Sequence, residues 1–265
     1  MIHVYIFSKN EYTTISFRSG LRIKELKNMQ LFKYEGYIEE KFSTNGRHRW
    51  FTSAHLNPFY NKFYGIRYCP QCLKEHLYFR DIWRLMFVNI CTKHKCYLLN
   101  SCPKCNSTIF YTSTSDHRMY ECIYCNSDIR DAKTKSIRLS FKETKVQKQL
   151  QNIAHEGYYI FDDRWHYSIG LFNILKILIR NVMKVEKNQE LKVKYIEYLS
   201  PHELSLYIKA SMDLLEGYPA KLKEFRKNNK LTREASFFEK HEIKNPSTPN
   251  WFFKLYSNKD VSYVK

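Results

Sequence analysis

All eight cysteines of this 265-residue chain lie between Cys69 and Cys125, and that crowding constrains the fold more than any other feature. Seven of them, with one histidine, fall into two matched sets. The first is Cys69-Pro70-Gln71-Cys72, an 18-residue interval, then Cys91-Thr92-Lys93-His94. The second is Cys102-Pro103-Lys104-Cys105, a 16-residue interval, then Cys122-Ile123-Tyr124-Cys125. A C-x-x-C turn brings two sulfurs to one point, and two such turns complete a tetrahedron. The intervals suit zinc ribbons and related knuckles. We therefore expect two structural Zn2+ ions, held by Cys69, Cys72, Cys91 and His94 and by Cys102, Cys105, Cys122 and Cys125. A catalytic zinc keeps one position for water. Four protein ligands per site leave none, and neither H-E-x-x-H nor a deaminase-type H-x-E is present. A single C-x-x-C would leave a redox dithiol open, and two ordered sets argue against it. Cys96 has the wrong spacing for a knuckle and reads as a small buried apolar side chain.

The cysteine region divides the chain. Residues 1–66 form a mixed segment, in which Phe42 to Trp50 reads as a β-hairpin turning at Asn45-Gly46. The first 25 residues yield no assignment. Residues 67–130 are the tandem zinc-binding region, and residues 131–265 read as a helical domain. In that last part Ser140 and Glu143 make a capping box ahead of Val146, Leu150 and Ile153. Leu171, Ile174, Leu175, Leu178, Ile179 and Val182 keep helical spacing. Ser200-Pro201-His202-Glu203 is a second capping box, with Leu204, Tyr207, Ile208, Met212 and Leu215 as its apolar stripe. Gly217 and Pro219 end that helix, and a short helix from Ala220 to Asn228 follows. The expected fold class is α+β, mostly helical, with two zinc clusters followed by a helical domain.

Charge points to the partner. The formal net charge is +18, from 44 Lys+Arg against 26 Asp+Glu, and such a field concentrates polyanions. Lys74, Lys93, Lys95, Lys104 and Arg118 cluster around the zinc turns and are candidate phosphate contacts. Arg80 and Arg84 are four apart, on one face of a helix if one forms there, and suit either phosphate contact or packing along Trp83. The helix pair joined at Gly217-Tyr218 fits a helix-turn-helix whose second member carries Lys221, Lys223, Arg226 and Lys227, or a plain helical hairpin. His155, His166 and His202 share no ligand spacing, and Asp162-Asp163 has no third acidic partner for metal-dependent hydrolysis. No signal peptide is legible, and the stretch Leu171 to Ile179 is too short and polar to span a bilayer. These readings place the protein in the cytoplasm, with no catalytic residues.

The run YCPQCLKEHLYFRDIWRLMFVNICTKHKCYLLNSCPKC, which includes Tyr78 to Val88, resembles the signature of the TniQ family, which includes TnsD. Tyr34-Glu35-Gly36, Arg47-His48-Arg49-Trp50 and Leu214 to Pro219 extend the resemblance over residues 28–228. Members of that family select insertion sites for heteromeric transposons, including CRISPR-associated ones. The resemblance implies a zinc-binding, DNA-associated targeting adaptor that recruits an AAA+ ATPase of TnsC/TniB type and, through it, a transposase. A CRISPR effector complex and a second copy of the chain are further partners it implies. Family members usually open with a longer segment carrying a leucine- and tryptophan-containing motif, which this chain's opening does not show. Apart from the resemblance, a stand-alone zinc-dependent DNA- or RNA-binding regulator accounts for the same clusters and charge.

Overall fold

The computed structural model describes residues 8–42, 48, 50–52, 65–110, 118–134, 141–186, 196, 199–231 and 247–252. It is mostly helical, with small two-stranded sheets. The opening residues, which gave no sequence assignment, form α1 (Lys9–Ser19) and α2 (Ile23–Asn28). The start of α1 has a legible cause. Ser8 caps the Glu11 amide while the Glu11 carboxylate accepts from the Ser8 amide, a reciprocal capping box. Gly20, in the left-handed region at φ 72°, ends the helix. A 3-10 turn, Leu31–Tyr34, follows. The expected hairpin turn at Asn45-Gly46 lies outside the described residues.

The cysteine region contains α3 (Pro70–Glu75), a 3-10 turn at Asp81–Arg84, the antiparallel pair β1 (Ile90–Cys91) and β2 (Cys96–Tyr97), and a 3-10 turn at Ile129–Asp131. The chain before α3 pairs with the chain on either side of the second cluster's first turn. Ile66 and Tyr68 donate backbone bonds to Ile109 and Leu99, and the Tyr68 hydroxyl donates to the Ser101 carbonyl at 2.8 Å. Gly65 permits this approach, since a Cβ there would meet the Thr108 methyl at 2.2 Å.

The remainder comprises α4 (Phe141–Glu156), β3 (Tyr158–Phe161), β4 (Arg164–Tyr167), α5 (Ser168–Glu186), α6 (Pro201–Glu216) and α7 (Ala220–Asn228). The predicted helical periodicities all fall on helices. Ser200 caps α6 in the predicted capping box, and Pro201 occupies the first turn. Ser140 lies outside the described residues, while Glu143 is buried and accepts from the Tyr97 and Ser205 hydroxyls. The purely helical reading of this part needs correction: a β-hairpin stands between α4 and α5. Its two-residue turn is Asp162-Asp163, with φ values of 51° and 55°. Asp tolerates that left-handed geometry, and paired positive φ values match the twist of a tight hairpin. Tyr159 faces the core, whereas Ile160 (60% exposed), Trp165 (67%) and Tyr167 (83%) face solvent.

α5 is buried on nearly every side, including Lys176 and Arg180, as its apolar content requires. It packs most extensively on α6 and also on both hairpin strands. One hydrophobic cluster spans all three stretches of sequence. Trp50, Phe87 and Phe172, one from each, meet at centroid distances of 5.0 to 6.1 Å. Gln147 on α4 ties the helical part to the first cluster. Its carbonyl oxygen accepts from the Asn89 and Ile90 amides at 2.7 and 2.9 Å, and its amide donates to the Ile90 carbonyl at 2.9 Å. The side chain thus satisfies the outer edge of β1 as a neighbouring strand would.

Candidate metal centres

The first cluster assembles from α3 and the β1–β2 turn. Cys69 is the N-cap of α3, Pro70 starts the helix with its fixed φ, and Cys72 follows one turn later. Cys91 ends β1 and His94 sits in the turn to β2, which closes at Lys95 with φ 49°. The four donor atoms lie within 4.8 Å of one another. Cys72 and Cys91 sulfurs are 3.6 Å apart, and His94 Nδ1 is 3.4, 3.3 and 3.6 Å from the sulfurs of Cys69, Cys72 and Cys91. A tetrahedron with metal–sulfur bonds of about 2.3 Å has edges of about 3.8 Å, slightly shorter where a nitrogen replaces sulfur. The geometry therefore fits a small divalent ion, and these residues can hold one.

The histidine is oriented from behind. Its Nε2 lies 3.1 Å from Glu75 Oε1, which leaves Nδ1 to face the sulfurs, and Glu75 Oε2 takes a bond from Lys93 at 2.6 Å. The Lys93 ammonium, followed by His94, holds the Glu75 carboxyl below the usual carboxylate range. A carboxylate on the outer nitrogen is the usual way to fix a metal-binding imidazole. The motif reading missed Glu75, although its place three residues after Cys72, on the same short helix, was the available signal.

Cys96 is buried, as expected, but it is no distant bystander. It pairs with Cys91 across β1–β2, and its sulfur is 3.8 Å from that of Cys69. It stands outside the four-donor group.

The second cluster is built from two near-identical turns, Cys102-Pro-Lys-Cys-Asn-Ser107 and Cys122-Ile-Tyr-Cys-Asn-Ser127. In each, the asparagine is left-handed, Asn106 at φ 57° and Asn126 at φ 55°. Its amide returns to the first cysteine's carbonyl, at 3.0 and 2.8 Å, and the first cysteine's amide donates to the serine carbonyl, at 2.8 and 2.9 Å. The sulfur pairs Cys102–Cys125 and Cys105–Cys122 are each 3.6 Å apart, again a tetrahedral edge. The Ser127 hydroxyl and backbone pull the Cys125 thiol down to about 6, while burial pushes Cys122 up to about 11. Cys105 is exposed, so this site is the more open of the two. The C-x-x-C reading passed over the trailing Asn-Ser of each turn, which a six-residue comparison would have shown.

The candidate nucleic-acid residues divide sharply. Lys95 and Lys104 are exposed and have no ion pair among the described residues. Lys93 is paired with Glu75, Lys74 reaches Asp131 at 3.8 Å, and Arg118 reaches Glu121 at 3.8 Å, all three remaining exposed. Arg80 and Arg84 do not share a helix face. Their segment is a 3-10 turn, whose three-residue repeat does not align positions four apart. Arg80 lies over the Trp83 ring at 5.8 Å, and Arg84 donates to the Thr52 carbonyl at 3.1 Å. Both are half-buried, and these contacts match the packing alternative along Trp83. Arg226 is 7% exposed on the inner face of α7, beside Leu222, and offers little surface to a phosphate backbone. Lys221, Lys223 and Lys227 are exposed, with Lys221 bonded to the Asp213 carbonyl at 3.3 Å.

Arg67, which no motif marked, holds the loop between the two knuckles of the first cluster. One buried guanidinium nitrogen reaches the Met86 and Val88 carbonyls at 2.7 and 3.0 Å, and Leu85 at 3.4 Å. Burial pushes its pKa down to about 9, which leaves it charged at neutral pH.

Two four-donor clusters, each able to hold a metal ion, are set into one mostly helical core. The TniQ family model matches residues 6–98, so this stretch is similar to a TniQ domain. The match takes in the first cluster and begins upstream of residue 28, where the sequence resemblance was read. It ends before the second cluster. No curated protein and no solved structure matches the chain. No helix among the described residues is long and apolar enough to cross a membrane.

Proposed function

We propose that this chain is a zinc-dependent targeting adaptor for transposition, of TniQ/TnsD type. It positions a transposition complex at DNA and performs no chemistry of its own. The single observation that carries the reading is a TniQ domain whose Cys69, Cys72, Cys91 and His94 donors stand at tetrahedral distances. Zinc is the ion that suits sulfur-rich, four-donor sites in a cell compartment that keeps thiols reduced. Its role here is to hold two knuckle regions, which have little core of their own, in one shape. Four donors per site leave no position for an activated water, which supports a structural rather than catalytic assignment.

In this reading Lys95 and Lys104, on rigid turns, contact phosphate without large ordering losses. Lys221, Lys223 and Lys227 form a second basic surface on α7. The partners are DNA and an AAA+ ATPase of TnsC/TniB type, with a CRISPR effector complex as a further assembly partner. Electrophoretic mobility shifts on duplex DNA and pull-down of the ATPase test the proposal. Binding that weakens steeply with salt is expected, together with capture of the ATPase. Absence of both at low salt contradicts it.

A further inference from the structure

The two clusters differ in formal charge. With a divalent ion, three thiolates and a neutral imidazole carry a net charge of −1, whereas four thiolates carry −2. The second cluster is also the more exposed one, with Cys105 at the surface. An open site with excess negative charge needs donors aimed at its sulfurs, and two stand there. The Ser127 hydroxyl is 3.1 Å from Cys102 Sγ and 3.1 Å from Cys125 Sγ. The Ser107 hydroxyl is 2.9 Å from Cys105 Sγ and 3.3 Å from Cys122 Sγ. Each hydroxyl therefore bridges one sulfur from each turn. The edges they bridge, Cys102–Cys125 and Cys105–Cys122, are the 3.6 Å sulfur pairs that join the two turns. The arrangement has the symmetry of the repeated C-x-x-C-N-S sequence.

We propose that Ser107 and Ser127 are the positioning residues of the second metal site, each hydroxyl bracing two thiolates across the seam between the turns. The inference rests on reading this cluster as a metal site. With the sulfurs deprotonated, only the hydroxyl has a proton to donate. Each serine shares that proton between two sulfurs, which lowers their electron density and resists their splaying apart. Left-handed Asn106 and Asn126 make the geometry possible. They fold the chain back so that the residue after the second cysteine's neighbour faces the opposite turn. The first cluster solves the same problem by another route, with Glu75 behind His94 and one fewer thiolate.

The test is chelator competition on the full chain loaded with zinc, following the release of each ion. It compares the native protein with Ser107→Ala, Ser127→Ala, the double variant and the matching Ser→Thr changes. The double alanine variant should release one of the two ions at roughly tenfold or more lower chelator strength, within the range for loss of such outer-shell bonds. The other ion should leave as in the native protein, and threonine should restore retention. In the cobalt-substituted protein, sulfur-to-metal charge-transfer bands should move to longer wavelength in the alanine variants, a shift that a merely structural role would not produce. Release of both ions as in the native protein, joint early release of both, or unshifted cobalt bands would overturn the proposal. A native chain that holds no ion at the second cluster would instead overturn the metal reading beneath it.

Discussion

Glu75 illustrates how much a single side chain outside a motif can decide. It bonds the outer nitrogen of His94 and is itself held by Lys93, so the imidazole is fixed in tautomer and direction. Glu75→Ala should lower metal affinity at the first cluster by about 10- to 100-fold while leaving the second untouched, as measured by chelator competition. Gln147 is the corresponding hinge pin for packing. Gln147→Ala would orphan two buried amides at Asn89 and Ile90, each worth about 1–3 kcal/mol. Urea denaturation of the metal-loaded protein should show a loss of about that size, with both ions retained. The eight clustered donors were legible because a metal site demands fixed spacing. Glu75, Gln147 and Arg67 were not, because their partners are backbone groups or one ring nitrogen brought together only by the fold. Arg226 shows the converse: its place in a run of basic residues suggested exposure, but helical periodicity turns it inward beside Leu222.

At the scale of elements, local chemistry predicted what local chemistry determines. Ser200, Pro201 and Glu203 announced α6, and the structure places the cap where the sequence did. Ser200→Ala should lower stability by about 1 kcal/mol in thermal or urea unfolding. The same logic would have found α1, since Ser8 and Glu11 carry the same spacing. The helix that would have put Arg80 and Arg84 on one face does not form: the segment closes as a short 3-10 turn, with Arg84 held by the Thr52 carbonyl. One element was missed for a physical reason. The hairpin at Tyr158–Tyr167 has a two-residue turn of Asp-Asp rather than the commoner Asn-Gly, so its signal was weak. Replacing Asp163 with glycine should stabilise the hairpin by up to about 1 kcal/mol, through relief of left-handed strain. Circular dichroism melts of the variant would read this as a higher midpoint.

For the whole molecule, one core runs through stretches that the sequence divided into three. Trp50, Phe87 and Phe172 meet within it, and Gln147 stitches α4 to β1. Periodicity can show which face of each helix is buried, but not that the faces share one interior. The consequence is coupling: once both ions are removed, the helical part should lose tertiary structure as well. The positive field belongs to this scale too. The +18 charge favours polyanions wherever exposed lysines remain free, and Lys95 and Lys104 on the metal turns are the best placed. Reversing both to glutamate should weaken duplex binding and reduce its salt dependence, with no change in metal content.

If metal holds this core in shape, the direct measurement is metal content followed through chelation. Zinc analysis of the purified chain should give two ions per molecule, and their removal by a strong chelator should collapse near-ultraviolet dichroism and expose the cysteine thiols to titration. A chain that carries no zinc, or that keeps its tertiary signal with all eight thiols free, would contradict it.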